Sequence, residues 1–147
     1  RKIPKLNMLA DNITNRPGIM SFYIEDIHYN LVVRLLNDKY GIQSRGGCAC
    51  AGTYGHYLLD VSWERSHRIT QMINSGDLSQ KPGWVRISLH PTMTDEELFF
   101  IINAIKDVQK NHKEWNKDYR YVKMSNEFYH KSGQHYNAKK LKNWFNI

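Results

Sequence analysis

At 147 residues, with 41% hydrophobic and 24% charged side chains, the chain has the length and balance of one globular domain with a modest core. The longest apolar run, Leu98 to Ile102, is far short of the roughly 20 residues a membrane span needs, and no N-terminal stretch has signal-peptide order. Net charge is +7, and the segment from Lys106 onward holds ten Lys and Arg against four Asp and Glu, so a basic tail carries nearly all of the excess.

The chain opens at Arg1 rather than Met, which points to a piece of something longer or to processing. Lys5 to Met8 reads as a short opening strand. Asn15-Arg16-Pro17-Gly18 marks a turn. Ile19 to Glu25 follows as a strand centred on Phe22, Tyr23 and Ile24. Asp26 is placed to cap a helix from about Ile27 to Tyr40, whose Leu31, Val32, Leu35 and Leu36 recur at helical spacing, with Gly41 as its stop. A strand from Ile42 to Arg45 then leads into a Gly46-Gly47 loop.

Gly55 to Ser75 reads as helix in one or two pieces, ended by Gly76, with Leu58, Val61, Ile69, Met72 and Ile73 on its apolar side. Ser79 to Gly83 is loop, and Trp84 to Leu89 alternates as a strand should. Thr94-Asp95-Glu96-Glu97 is a capping box before Leu98, Ile101, Ile102, Ile105 and Val108, a strong amphipathic helix. Tyr119 to Met124 suits a strand and Ala138 to Phe145 a short helix. Strands interleaved with helices through short connections predict an α+β fold: a small, mostly antiparallel sheet with helices packed on one face.

Two segments carry chemistry. In Arg45-Gly46-Gly47-Cys48-Ala49-Cys50-Ala51-Gly52 a strand delivers an arginine, glycines permit close backbone approach, and two thiols follow. A guanidinium nearby favours the nucleophilic thiolate. The same residues also suit two small buried thiols beside a glycine turn. Zinc held by Cys48, Cys50 and His56 lacks a second Cys/His pair at the usual spacing. One residue of separation is too short for an ordinary disulfide, and two such cysteines fit a reducing, cytoplasmic setting. In Trp84-Val85-Arg86-Ile87-Ser88-Leu89 an arginine interrupts an apolar strand. Arg86 either faces solvent or waits for an anion, which a planar guanidinium holds through two parallel hydrogen bonds.

Taken together, Gly41-Ile42 through Arg45, with Cys50-Ala51 five residues on, resemble the active-site loop of cysteine desulfurases and selenocysteine lyases. Val85 to Leu89, followed by Thr94 to Glu97 and its helix, resembles the segment that closes the C-terminal small domain of these class V aminotransferase-like enzymes. The Cys-x-Cys pattern is also similar to the loop of molybdenum cofactor sulfurases. The likeness runs from about Ile3 to Val108. It implies residues 1–110 as that C-terminal domain and 111–147 as a basic extension of it.

The resemblance implies roles. Cys50 matches the cysteine that takes sulfur from the substrate as a persulfide. Arg86 matches the arginine that grips the substrate α-carboxylate, and Arg45 matches one bordering the active site; the role of Cys48 stays open. It implies pyridoxal phosphate (PLP) in a longer parent, bound by an N-terminal domain through a Schiff-base lysine, with none expected on this stretch itself. The implied partners are that domain, an amino-acid substrate and a second copy of the full-length protein. The class also contains aminotransferases and lyases in which a cysteine here has no part. The alternative is a small basic module that contacts an acidic partner or RNA, although no nucleic-acid motif accompanies the charge.

Overall fold

A computed structural model describes residues 3–48 and 52–133. Four strands, β1 (Leu6–Met8), β2 (Ile19–Ile24), β3 (Arg45–Gly47) and β4 (Trp84–Ser88), form one antiparallel sheet in the order β1-β2-β4-β3. The helices are α1 (Tyr29–Tyr40), α2 (Gly52–Leu58), α3 (Trp63–Asn74) and α4 (Asp95–Trp115). A hairpin of β5 (Tyr119–Val122) and β6 (Glu127–His130) follows α4. The class is α+β, as the periodicity predicts.

Alternation along the strands sorts the sheet into two faces. Phe22 and Ile24 of β2 and Val85 and Ile87 of β4 point to one side, where they pack with Leu31, Val32, Leu35 and Leu36 of α1 and Ile101, Ala104, Ile105 and Val108 of α4. Phe22, Val32, Leu35, Leu36, Val85 and Val108 are essentially fully buried. Burying side chains of this size contributes about 1.5–3 kcal/mol each, which makes this α1–α4–sheet layer the main source of stability. Tyr119 and Phe128 of the hairpin join the same cluster. α4 itself runs continuously past residue 110, and its capping box forms as read: Thr94 Oγ1 accepts from Glu97 N while Glu97 accepts from Thr94 N.

The hairpin is fastened to α1 by polar contacts. Asn126, buried and with a left-handed φ of 58°, donates from Nδ2 to the Tyr29 hydroxyl at 2.6 Å and accepts at Oδ1 from the Tyr121 hydroxyl at 2.7 Å. Its carbonyl accepts from Asn30 Nδ2 at 2.5 Å. Tyr119 donates its hydroxyl to Asp38, which also accepts from Arg34. Burial and the Asp38 carboxylate together push the Tyr119 phenol well above its ordinary range.

Three local expectations are corrected. Asp26 does not cap α1; it sits at φ 66° and pairs its carboxylate with Lys5 at 2.5 Å. The cap is His28, whose Nδ1 accepts from Asn30 N at 3.1 Å. Burial lowers the His28 pKa, against a smaller opposing effect of Asn126, which favours the neutral ring that can accept there. Second, the edge strand is not Ile42 to Arg45 with a glycine loop after it. Arg45, Gly46 and Gly47 are themselves β3. A Cβ on Gly46 would collide with Asn30 Oδ1 and press on Val33 and Tyr29 at 3.1 and 3.2 Å. Gly46 therefore serves close packing of β3 on α1. Third, β6 completes a hairpin where only the first strand is legible from sequence. The helix read at Ala138 to Phe145 lies outside the described residues.

Candidate functional site

The second face of the sheet is where the sequence-selected arginines meet. Register places Ser21 of β2, Arg86 of β4 and Arg45 of β3 in one row across three strands. Arg86 stands between Val85 and Ile87, both buried in the core, so its side chain projects from the opposite face. Arg45 pairs directly with Arg86 and is exposed, while its neighbour Gly46 faces α1. Residues in direct register have Cβ atoms about 4.5–5.5 Å apart, and like charges so placed are destabilising.

Among the described residues neither guanidinium has an ion pair or a side-chain hydrogen bond. Two other arginines are committed, whereas Arg65, Arg68 and Arg120 likewise lack a side-chain partner among the described residues. Arg34 is held by Asp38 at 2.8 Å, and Arg16 donates to the carbonyls of Leu9, Ala10 and Ile13, which ties down the turn before β2. A lone unpaired cation on a surface needs no explanation. Two cations in direct register, one of them half-buried between core residues, repel each other across adjacent strands.

Trp84 borders this row. It is buried on the arginine face, and Gly55 of α2 lies against it: a Cβ there would come within 3.3 Å of its ring and 3.2 Å of Cys48 Cβ. Cys48 is thus half-buried under α2. Cys50 lies outside the described residues. α2 and α3 are separate helices, divided at Leu59 to Ser62, and Ser62 caps α3 by accepting from Arg65 N. His56 Nδ1 meets Ser66 Oγ at 2.6 Å, which pins the two helices together. Among the described residues no group of three or more His, Cys, Asp or Glu could hold a metal ion.

Sequence reading missed the groove beside the row. Leu9, Ile13, Ile19, Ser21, Tyr54, Leu58 and Trp84 line a cleft of about 390 Å³. Alternation in β4 signals only that Trp84 shares a face with Arg86; the contributions of the 9–17 turn and of α2 depend on tertiary packing. The scattered tryptophans also separate by role. Trp84 is a buried wall, while Trp63 is 77% exposed and stacks on His67.

The family model for aminotransferase class-V matches residues 1–99. The chain belongs to the aminotransferase class-V family. That span holds the whole four-stranded sheet, both arginines and the two cysteines. Among curated proteins none matches the chain. The family implies PLP as the cofactor of the full-length enzyme. PLP requires a lysine for its aldehyde and an acidic partner for its pyridine nitrogen. The outward strand positions around the row are Ile19, Ser21, Tyr23, Arg45, Gly47, Trp84, Arg86 and Ser88, which include no lysine and no carboxylate for those two tasks. No helix among the described residues is long and apolar enough to cross a membrane.

Proposed function

We propose that this chain supplies the substrate-binding side of a PLP-dependent enzyme that acts on an amino acid. The observation that carries the proposal is the directly opposed Arg45–Arg86 pair, neither with a side-chain partner among the described residues. Arg86 holds the α-carboxylate through two parallel N–H···O bonds, and its strand, rooted in the core, fixes the direction of approach. Arg45 raises the positive potential beside it. Trp84 and α2 wall the row on one side.

Within this reading Cys50 is the thiol that takes sulfur from the substrate and keeps it as a persulfide, so the enzyme is a cysteine desulfurase-like member of its family. The PLP lysine and its acidic partner come from an N-terminal domain of the longer protein, which works as a homodimer. A cytoplasmic setting keeps the thiols reduced.

The test uses the PLP-containing enzyme that includes this chain. Arg86→Ala should raise KM for the amino acid by roughly 30- to 1000-fold, since losing a charge-assisted carboxylate contact costs on the order of 2–4 kcal/mol. Arg86→Lys, which keeps the charge but not the fork, should recover only part of it. An Arg86→Ala enzyme with unchanged KM overturns the carboxylate role. After incubation with cysteine, a sulfur adduct on Cys50 that is lost in Cys50→Ser and kept in Cys48→Ser supports sulfur transfer. Unchanged cysteine turnover in Cys50→Ser leaves an enzyme of another reaction type.

A further inference from the structure

We infer that residues 138–147 fold back along α4 as a short amphipathic helix and cover an aromatic strip left open between α1 and α4. On α4, Phe100 is 51% exposed, although Ile101 and Ala104 beside it are buried. Tyr40, the last residue of α1, places its ring between Phe100 and Trp115, with ring centres 6.1 and 6.4 Å away. Tyr40 and Trp115 pack on the edge of the core and stay part-exposed. The three rings form one strip that ends at the C-terminal end of α4.

The described chain leads to that end. Lys131 donates its amide to the Asp118 carbonyl at 2.8 Å and its ammonium to the Lys117 carbonyl, so β6 returns the chain to the turn just past Trp115. From Gly133, residues 134–137 reach at most about 13–14 Å, and ten helical residues add about 15 Å. Trp115 and Phe100 lie about 22 Å apart along α4, so the segment is long enough to run the length of the strip, antiparallel to α4. Its composition fits the surface. Ala138, Leu141, Trp144 and Phe145 recur at helical spacing on one side, flanked by Lys140 and Lys142. So short a helix is marginal alone in water and needs an apolar surface against which to bury that side. The lysines also find complements. Glu96 and Asp107, four residues before and seven after Phe100, share its side of α4, and neither forms an ion pair among the described residues.

Hydroxyl-radical footprinting of the PLP enzyme that includes this chain reads these side chains directly. Oxidation follows accessible area, so covering a ring that is 51% exposed should slow its reaction by about threefold or more. Phe100 should react that much more slowly in the wild type than in the Leu141→Ser, Phe145→Ser double variant. Trp144 should react faster in Phe100→Ser, a change at a position outside the buried core cluster. Buried Trp84, slow in every form, reports that the fold is intact. Phe100 reacting equally fast with and without Leu141 and Phe145 overturns the inference. So does a Trp144 indifferent to Phe100→Ser. Phe100 equally protected in the wild type and the double variant overturns it too, and gives the strip to a second copy or another part of the protein.

Discussion

If Arg45 and Arg86 are held together by the fold without a counter-ion, removing one charge should stabilise the protein. The pair is in direct register, and Arg45 is exposed, so water screens the repulsion strongly. Two unit charges about 6 Å apart at the dielectric of water repel by roughly 0.7 kcal/mol, the same order as the roughly 0.2–1 kcal/mol of favourable cross-strand pairs. Arg45→Gln keeps the aliphatic stem and a hydrogen-bonding head, so the change is close to purely electrostatic. We expect a gain of about 0.5 kcal/mol in unfolding free energy at low salt, or roughly 1–2 °C in Tm for a chain of this size. Urea denaturation measures it without adding ions. At 1 M salt, where the screening length is about 3 Å, the gain should vanish. A loss of more than 1 kcal/mol, or a gain indifferent to salt, would mean that Arg45 has a partner and that the two charges do not repel as the register implies.

Two predictions test how the fold holds this face. Asn126→Ala removes contacts to two tyrosine hydroxyls and puts a Cβ-bearing residue without a capping side chain at φ 58°. It should cost about 2–4 kcal/mol, from an unpaired buried hydroxyl and the left-handed backbone together, read as a drop in the urea midpoint. His28, whose pKa burial lowers, binds its proton more readily in the unfolded chain. Its contribution to stability is therefore present above about pH 6.5 and is lost as pH falls from there toward the folded-state pKa. His28→Asn keeps an N-cap without the titration; the slope of unfolding free energy between pH 7 and pH 5 should flatten, and an unchanged slope would exclude His28 as its source.

Much of the site was legible because it depends on local pattern. Alternation in β4 places Arg86 away from the core, and the capping box fixes the start of α4, while the apolar spacing carries it only to Val108 and the helix runs on to Trp115. The family likeness singles out Arg45 and Arg86, and the register then brings them side by side. What the sequence hides is tertiary. Gly46 and Gly47 read as a loop because glycine permits turns, yet they form a strand, with α1 packed closely against Gly46. Asp26 looks like a better cap than His28 by residue type, but the chain turns at Asp26 to meet Lys5 and leaves the cap to the ring two residues on. The partner strand β6 is short, and its pairing is set by the left-handed Asn126, a position whose role emerges only from its contacts with Tyr29 and Tyr121.

The most direct measurement is a crystal structure of the PLP enzyme containing this chain with an unreactive amino-acid analogue bound. The account predicts both α-carboxylate oxygens on the Arg86 guanidinium at about 2.7–2.9 Å, with Arg45 beside them on the same face. A carboxylate held by other residues, with Arg86 and Arg45 still without a counter-ion, would contradict it.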